Sequence, residues 1–218
     1  MLDAVLQLAR ERGLLAQSSA LVAVDSTGLE ARHISHYYGK RCGRRMTYYA
    51  KLSAVCDTLT HLILWAIAER GPNCDHMQFR PAAVLAAYQL QPFEHLVADA
   101  GYDAEHHHAL VTIPARAGRP SQRAPTGQFR QQMRCELDKS VYGQRWQIES
   151  TFSQWKRRLG SALRARAAQA QNREVHMRVL TLNLMLTYPF RLLFSTEQVR
   201  PPFLSRMAST RRFTKRTL

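Results

Sequence analysis

Acidic residues are scarce in this sequence. It contains 16 Asp plus Glu against 31 Lys plus Arg, which gives a formal net charge of +15 at pH 7. Phosphates that are neutralised by Lys and Arg release condensed counterions, so a surplus of this size favours a polyanionic partner. We expect that partner to be nucleic acid rather than an anionic membrane surface. The alternative is a basicity that is only compositional.

Cysteine is also rare, and long apolar runs are missing. The four cysteines lie far apart and form no Cys-x-x-Cys pair, which argues against a structural zinc site and a disulfide framework. No apolar run approaches about 18 residues, and no charged segment precedes an apolar core at the N-terminus. We therefore expect a cytoplasmic protein that contacts no membrane and has reduced thiols at Cys42, Cys56, Cys74 and Cys135.

The chain is long enough for one domain with a substantial core, at 218 residues. We divide it into an N-terminal helix at 1–18, a single α/β domain at 19–195 and a basic tail at 196–218. The tail carries five Lys and Arg residues after Pro202 and no acid, so we expect it to be disordered until it meets a polyanion.

Apolar periodicity predicts most of the regular elements. Residues 2–16 predict an amphipathic helix ending near Gly13, residues 80–90 a short helix, and residues 170–188 a last helix. Residues 48–71 predict two strands with a turn between them at about Asp57 to Thr60. Together with the strand that precedes them, these two would form an antiparallel meander.

Two short apolar runs end on a carboxylate. Leu21 to Val24 predict a buried strand ending on Asp25, and Leu96 to Ala98 predict another ending on Asp99. A carboxylate at the end of a buried strand faces a sheet edge, where sites tend to form. For Asp25 the alternative is an aspartate that caps a turn made with the three residues after it.

Three consecutive histidines, His106 to His108, suggest a metal site at first sight. Adjacent residues on a helix point about 100° apart, so they cannot jointly bind one ion well. We therefore expect these histidines on a solvated helix face, with Asp103 capping that helix.

The stretch from Tyr142 to Lys156 predicts an amphipathic helix that ends at Gly160. At about 100° per residue, its polar members share one narrow stripe: Tyr142, Arg145, Glu149 and Lys156. An apolar flank beside that stripe can be buried: Ile148, Phe152, Trp155 and Leu159. Such an edge suits a site for a metal ion and a phosphate, whereas the alternative is a solvated face with an ordinary ion pair four residues apart.

Basic and aromatic residues alternate between residues 31 and 51 without any acid. This mixture suits a surface that binds phosphates and stacks on bases, and Arg44 and Arg45 are its candidate DNA contacts. A solvated loop with ordinary strand tyrosines is the alternative. The other bases of the segment are Arg32, Lys40, Arg41 and Lys51.

Asp25, Asp99 and Glu149 would form a trio of acids if the fold brings them together. Like charges a few ångströms apart raise one another's pKa, so the trio needs a cation to stay ionised. A pair of Mg²⁺ ions about 3.5–4 Å apart resolves that repulsion and supports in-line displacement at phosphorus.

The chain resembles the DDE transposases of bacterial insertion sequences, in the group with the signature Tyr-x2-Arg-x3-Glu-x6-Lys. Tyr142, Arg145, Glu149 and Lys156 match that spacing at every position. The segments "VAVDSTGL" and "VADAGYD" resemble the blocks around the first and second aspartates of the family.

The resemblance implies a ribonuclease H-like fold, with a mixed sheet flanked by helices. It implies that Asp25, Asp99 and Glu149 ligate two Mg²⁺ ions, with Mn²⁺ as the alternative ion. The implied reaction is hydrolytic nicking at transposon ends, followed by attack of a 3′ hydroxyl on target DNA. The signature residues Tyr142, Arg145 and Lys156, with the neighbouring Arg157, would contact DNA. A homo-oligomer on DNA and association with the nucleoid are expected as well.

One feature departs from the family pattern. Only 24 residues precede Asp25, fewer than a helix-turn-helix module with a linker needs. We therefore expect the region that recognises transposon ends to be lacking. The alternatives are a truncated, inactive DNA-binding remnant and a ribonuclease H-like nuclease without strand transfer.

Overall fold

A mixed four-stranded sheet lies at the centre of the fold. The computed structural model describes residues 1–30, 41, 43, 49–73, 75–89, 93–111, 127–136 and 138–188. The described strands are β1 (Ser19–Leu29), β2 (Tyr49–Asp57), β3 (Ile63–Gly71) and β4 (Phe93–Ala98). Their order is β3-β2-β1-β4; the first three form the predicted antiparallel meander, and β4 joins β1 in parallel.

Helices flank this sheet. The described α-helices are α1 (Leu2–Glu11), α2 (Phe79–Gln89), α3 (Glu105–Val111), α4 (Gln128–Glu136), α5 (Lys139–Gly143), α6 (Trp146–Leu159) and α7 (Ala168–Thr187). Short 3-10 helices cover Asp75–Gln78 and Ala100–Tyr102. The predicted α/β class, a mixed sheet flanked by helices, is confirmed.

The core has two layers because successive residues of a strand point to opposite faces of the sheet. On one face Val22 and Val24 pack with Leu6 of α1 and Phe79 of α2. On the other face the small residue Ala23 packs with buried side chains of α6 and α7. Each fully buried side chain of Leu or Phe size contributes about 2 kcal/mol, so both layers stabilise the sheet that carries the site.

β1 is longer than predicted. It continues past Asp25 to Leu29, and Leu29 pairs with Ala50 of β2. Asp25 therefore lies within the strand rather than at its end, and the alternative of a turn cap is wrong. The residues after Asp25 have turn-forming side chains, but their pairing with β2 outweighs that local preference.

The predicted helix from Tyr142 to Leu159 is two helices. α5 begins after Asp138, whose carboxylate accepts hydrogen bonds from two backbone N–H groups, and it ends at Gly143. α6 then runs to Leu159 and ends at Gly160, whose φ of 91° is a left-handed conformation that favours glycine. The end of the helix was thus predicted correctly, and its continuity was not.

The expected solvated histidine face is wrong for two of the three residues. His107 is buried and donates from Nδ1 to the carbonyl of Tyr102 at 2.8 Å. His108 is also buried, and its Nε2 is 2.8 Å from Oδ1 of Asp103. Asp103 also accepts two hydrogen bonds from Arg130, at 3.0 and 2.6 Å. The hydrogen bonds of Asp103 therefore connect α4 to the segment after β4.

Several basic residues named above lie elsewhere than expected or outside the described residues. Lys51 is buried in β2, where its Nζ donates to the carbonyl of Asn73 at 2.7 Å, so it does not face DNA. Arg44, Arg45 and the tail at 196–218 lie outside the described residues. Within the ranges that the structure does describe, no helix combines the length and the apolar character needed to cross a bilayer.

Candidate active site

The pairing of β1 with β4 brings the two aspartates side by side. Val24 is the parallel partner of Ala98, and Asp25 and Asp99 are the residues that follow them. One oxygen of each carboxylate is held by the next backbone N–H, at 2.8 Å for Asp25 and 2.7 Å for Asp99. The backbone therefore fixes the direction of both side chains.

α6 supplies the third carboxylate. Ile148, Phe152 and Trp155 are buried against the face of the sheet to which Asp25 also points. Glu149 lies beside them on the open edge of the helix, with its side chain 54% exposed. It occupies the first turn of α6, where the helix dipole favours a negative charge.

Arg145 lies among the three acids. Its Nη2 is 2.7 Å from Oε1 of Glu149, and its Nη1 is 3.9 Å from Oδ2 of Asp25. Partial burial disfavours the charged guanidinium, but the charges of Glu149 and Asp99 outweigh burial and raise the pKa of Arg145. All three carboxylates thus interact with one positive charge.

Lys156 lies further along the same edge of α6, in the last turn of the helix. Its Nζ donates to the hydroxyl of Thr27 at 2.6 Å. Burial lowers the pKa of Lys156, and the charge of Glu30 offsets part of that effect. Thr27 was not predicted as a site residue, although two-residue periodicity along a longer β1 would have placed it on the face of Asp25.

Tyr142 of the signature and the neighbouring Arg157 differ in their surroundings. Tyr142 is half-buried in α5, close enough to Arg145 to contribute to its charged environment. Arg157 is exposed on α6 beside Lys156. Arg145, Glu149 and Lys156 therefore share one helix edge as predicted, whereas Tyr142 lies across the break between α5 and α6.

The chemistry of the donor set fits a hard divalent cation, because carboxylate oxygens are the ligands that Mg²⁺ and Mn²⁺ prefer. The guanidinium of Arg145 is the cation that the acids surround in this structure. As their side chains stand, no three His, Cys, Asp or Glu residues of the described ranges lie close enough together to hold one ion. Asp25, Asp99 and Glu149 are the residues that would hold such a cation, and in this structure they interact with Arg145.

Among solved structures, the chain is similar to the catalytic core domain of BIV integrase, with a TM-score of 0.38 and 16% identity over 77% of this chain and 82% of that chain. No curated protein matches the sequence. The family model described as "Transposase DDE domain" matches residues 16–184. Because that match covers most of the chain, including Asp25, Asp99 and Glu149, this protein belongs to the family of transposase DDE domains.

Proposed function

We propose that this chain is the catalytic domain of a DNA transposase, which cleaves phosphodiester bonds at transposon ends and transfers the strand to target DNA. The observation that carries the proposal is the contact of Arg145 with Glu149 and Asp25, beside Asp99. Three acids from separate parts of the chain thus lie near one another around Arg145, and a two-metal phosphoryl-transfer site is built from acids brought together in this way.

Asp25, Asp99 and Glu149 are the residues that would hold divalent cations, Mg²⁺ or Mn²⁺. The chemistry such cations supply is activation of the attacking oxygen and stabilisation of the leaving oxygen. The basic side chains beside the site bind phosphate. Arg145 offers a planar guanidinium that can contact two oxygens, and Lys156 offers a point charge. Tyr142 would contact the strand through its hydroxyl or its ring.

The exposed charges around the site support DNA as the partner. Between Ser150 and Tyr188 the only acid is Glu174, and its carboxylate accepts hydrogen bonds from Arg178 and from the backbone of Arg164 and Ala165. Exposed bases lie at the end of α6, in the segment between α6 and α7, and at the start of α7. They are Arg157, Arg158, Arg164, Arg166 and Arg173.

A nicking assay on a plasmid carrying the gene with its flanking DNA tests the proposal. Asp25→Asn, Asp99→Asn and Glu149→Gln should each abolish Mg²⁺-dependent cleavage while DNA binding persists. Glu94→Gln is the matched control, because Glu94 is an exposed carboxylate on β4, outside the site. Undiminished cleavage by any of the three variants would contradict the proposal.

Further outcomes of that assay separate the alternatives. Joining of pre-cut ends to target DNA excludes a nuclease that only hydrolyses. Steeply salt-dependent DNA binding without Mg²⁺-dependent nicking indicates an inactive DNA-binding remnant. Sedimentation of the chain with and without DNA tests the proposed homo-oligomer.

A further inference from the structure

Three hydroxyl groups form a hydrogen-bonded chain behind the two aspartates. Ser26 Oγ is 2.8 Å from Ser53 Oγ and 3.1 Å from the hydroxyl of Tyr102. Ser53 and Tyr102 are both buried. Because Ser26 follows Asp25 on β1, its side chain points to the opposite face of the sheet. The hydroxyl chain therefore links the rear of β1 to the segment after β4.

Tyr102 is in turn tied to Asp99. The carboxylate of Asp99 caps the 3-10 helix that ends at Tyr102, and the N–H of Tyr102 donates to the carbonyl of Asp99 at 2.9 Å. The ring of Tyr102 packs on Phe79, with centroids 5.8 Å apart, and its carbonyl accepts from His107. The contact of the Tyr102 hydroxyl with Ser26 therefore joins the Asp99 segment to the strand of Asp25.

We propose that Tyr102 and Ser26 are positioning residues, which hold Asp25 and Asp99 in the relative placement that a divalent cation requires. This inference rests on the function proposed above. The simpler role for these hydroxyls is to satisfy one another's hydrogen bonds within the core. The two roles predict different effects when a hydroxyl is removed. If the hydroxyls position the metal ligands, cation affinity changes; if they only satisfy hydrogen bonds in the core, only the stability of the fold changes.

Binding of Mn²⁺ to the full chain, measured by calorimetry without DNA, separates the roles. Tyr102→Phe keeps the packed ring and removes the link to Ser26, and Ser26→Ala removes the same link from the other side. Each should weaken Mn²⁺ binding about tenfold, the size typical of groups that orient metal ligands. The double variant should be little worse than either single variant, because both remove one shared contact.

Thr58→Val is the matched control. The Thr58 hydroxyl donates to the carbonyl of Leu21 at 2.9 Å, on the same strand as Asp25 but distant from it. Its removal should leave Mn²⁺ affinity unchanged. In the cleavage assay, Tyr102→Phe should be slow at limiting Mn²⁺ and recover at saturating Mn²⁺, with an unchanged KM for DNA.

Wild-type Mn²⁺ affinity in both Tyr102→Phe and Ser26→Ala overturns this inference alone. Absence of Mn²⁺ binding by the wild-type chain, or undiminished binding by Asp25→Asn, overturns the proposed function and the inference with it. If Tyr102→Phe folds poorly, Ser26→Ala gives the same test.

Discussion

Arg145 pairs with Glu149 at 2.7 Å, and the same guanidinium reaches to 3.9 Å from Asp25. A positive charge beside two proposed ligands competes with a divalent cation for their carboxylates. If Arg145 binds a phosphate of DNA, as proposed above, that competition ends. Binding of cation and binding of DNA are therefore expected to strengthen each other, by the reciprocity that linkage requires.

Replacement of Arg145 tests this competition. Arg145→Ala should tighten Mn²⁺ binding to the DNA-free chain about fivefold, because a unit charge about 4 Å away contributes roughly 1 kcal/mol even in water. Calorimetry at low ionic strength measures the change. Arg158→Ala is the control, since it removes the same charge from an exposed position of α6. Equal Mn²⁺ affinities for the two variants would contradict the competition.

The contact between Lys156 and Thr27 predicts a cost in stability. Thr27→Val leaves the partly buried ammonium without its acceptor at 2.6 Å, and we expect the free energy of unfolding to fall by about 1 kcal/mol. Denaturant unfolding measures this fall. Thr181→Val serves for comparison, because that exposed hydroxyl donates to a carbonyl of its own helix. A loss as large in Thr181→Val would show that the contact with Lys156 is not the cause.

Cys56 should be nearly inert to alkylation. Burial, with the nearby charge of Asp57, raises the pKa of its thiol from 9.0 to about 12, although a hydrogen bond from Thr151 opposes this. At pH 8 the thiolate fraction, and hence the rate with iodoacetamide, should be about a thousandfold lower than for an ordinary cysteine. Peptide mapping of the folded chain should find Cys135, which is exposed, modified before Cys56.

The same pKa predicts a loss of stability in alkali. The folded state keeps the proton of Cys56 at a pH where the unfolded state has lost it. The corresponding stability is complete below about pH 9 and falls as pH rises toward 12, by up to about 1.4 kcal/mol per pH unit. Unfolding curves from pH 8 to 10.5 should show this fall in the wild-type chain and a smaller one in Cys56→Ala. Identical slopes would count against the raised pKa.

Asn183 is expected to matter for stability through the backbone of β3. Its fully buried amide accepts from the N–H of Ile63 at 2.9 Å and donates to the carbonyl of the same residue at 2.8 Å. Asn183→Leu leaves both groups unpaired and should cost about 3 kcal/mol of unfolding free energy. Asn172→Leu, at an exposed position of α7, should change it by less than about 0.5 kcal/mol. Comparable losses in both variants would refute the role of the amide.

Apolar periodicity and the positions of glycine correctly predicted several strand and helix features. Asp99 follows a buried strand as expected, Gly160 ends α6, and the last helix predicted at 170–188 is α7, at Ala168–Thr187. These features follow from apolar periodicity and from backbone conformations that glycine favours.

The features that sequence did not predict depend on distant partners. β1 extends past Asp25 because β2 pairs with it. The residues after Asp25 have turn-forming side chains, so their local sequence does not predict that pairing. His108 is buried because Asp103 accepts its hydrogen bond. The position of Arg145 between Glu149 and Asp25 likewise needs the packing of α6 on the sheet.

The break between α5 and α6 places the signature residues on two helices that differ in how they are packed. Glu149 and Lys156 belong to a helix whose inner side chains are anchored in the core, so their directions are fixed by the sheet. Tyr142 belongs to a short helix in which no residue is buried, held at its start by Asp138. Tyr142 is therefore the member of the signature whose position does not depend on side chains buried in the core.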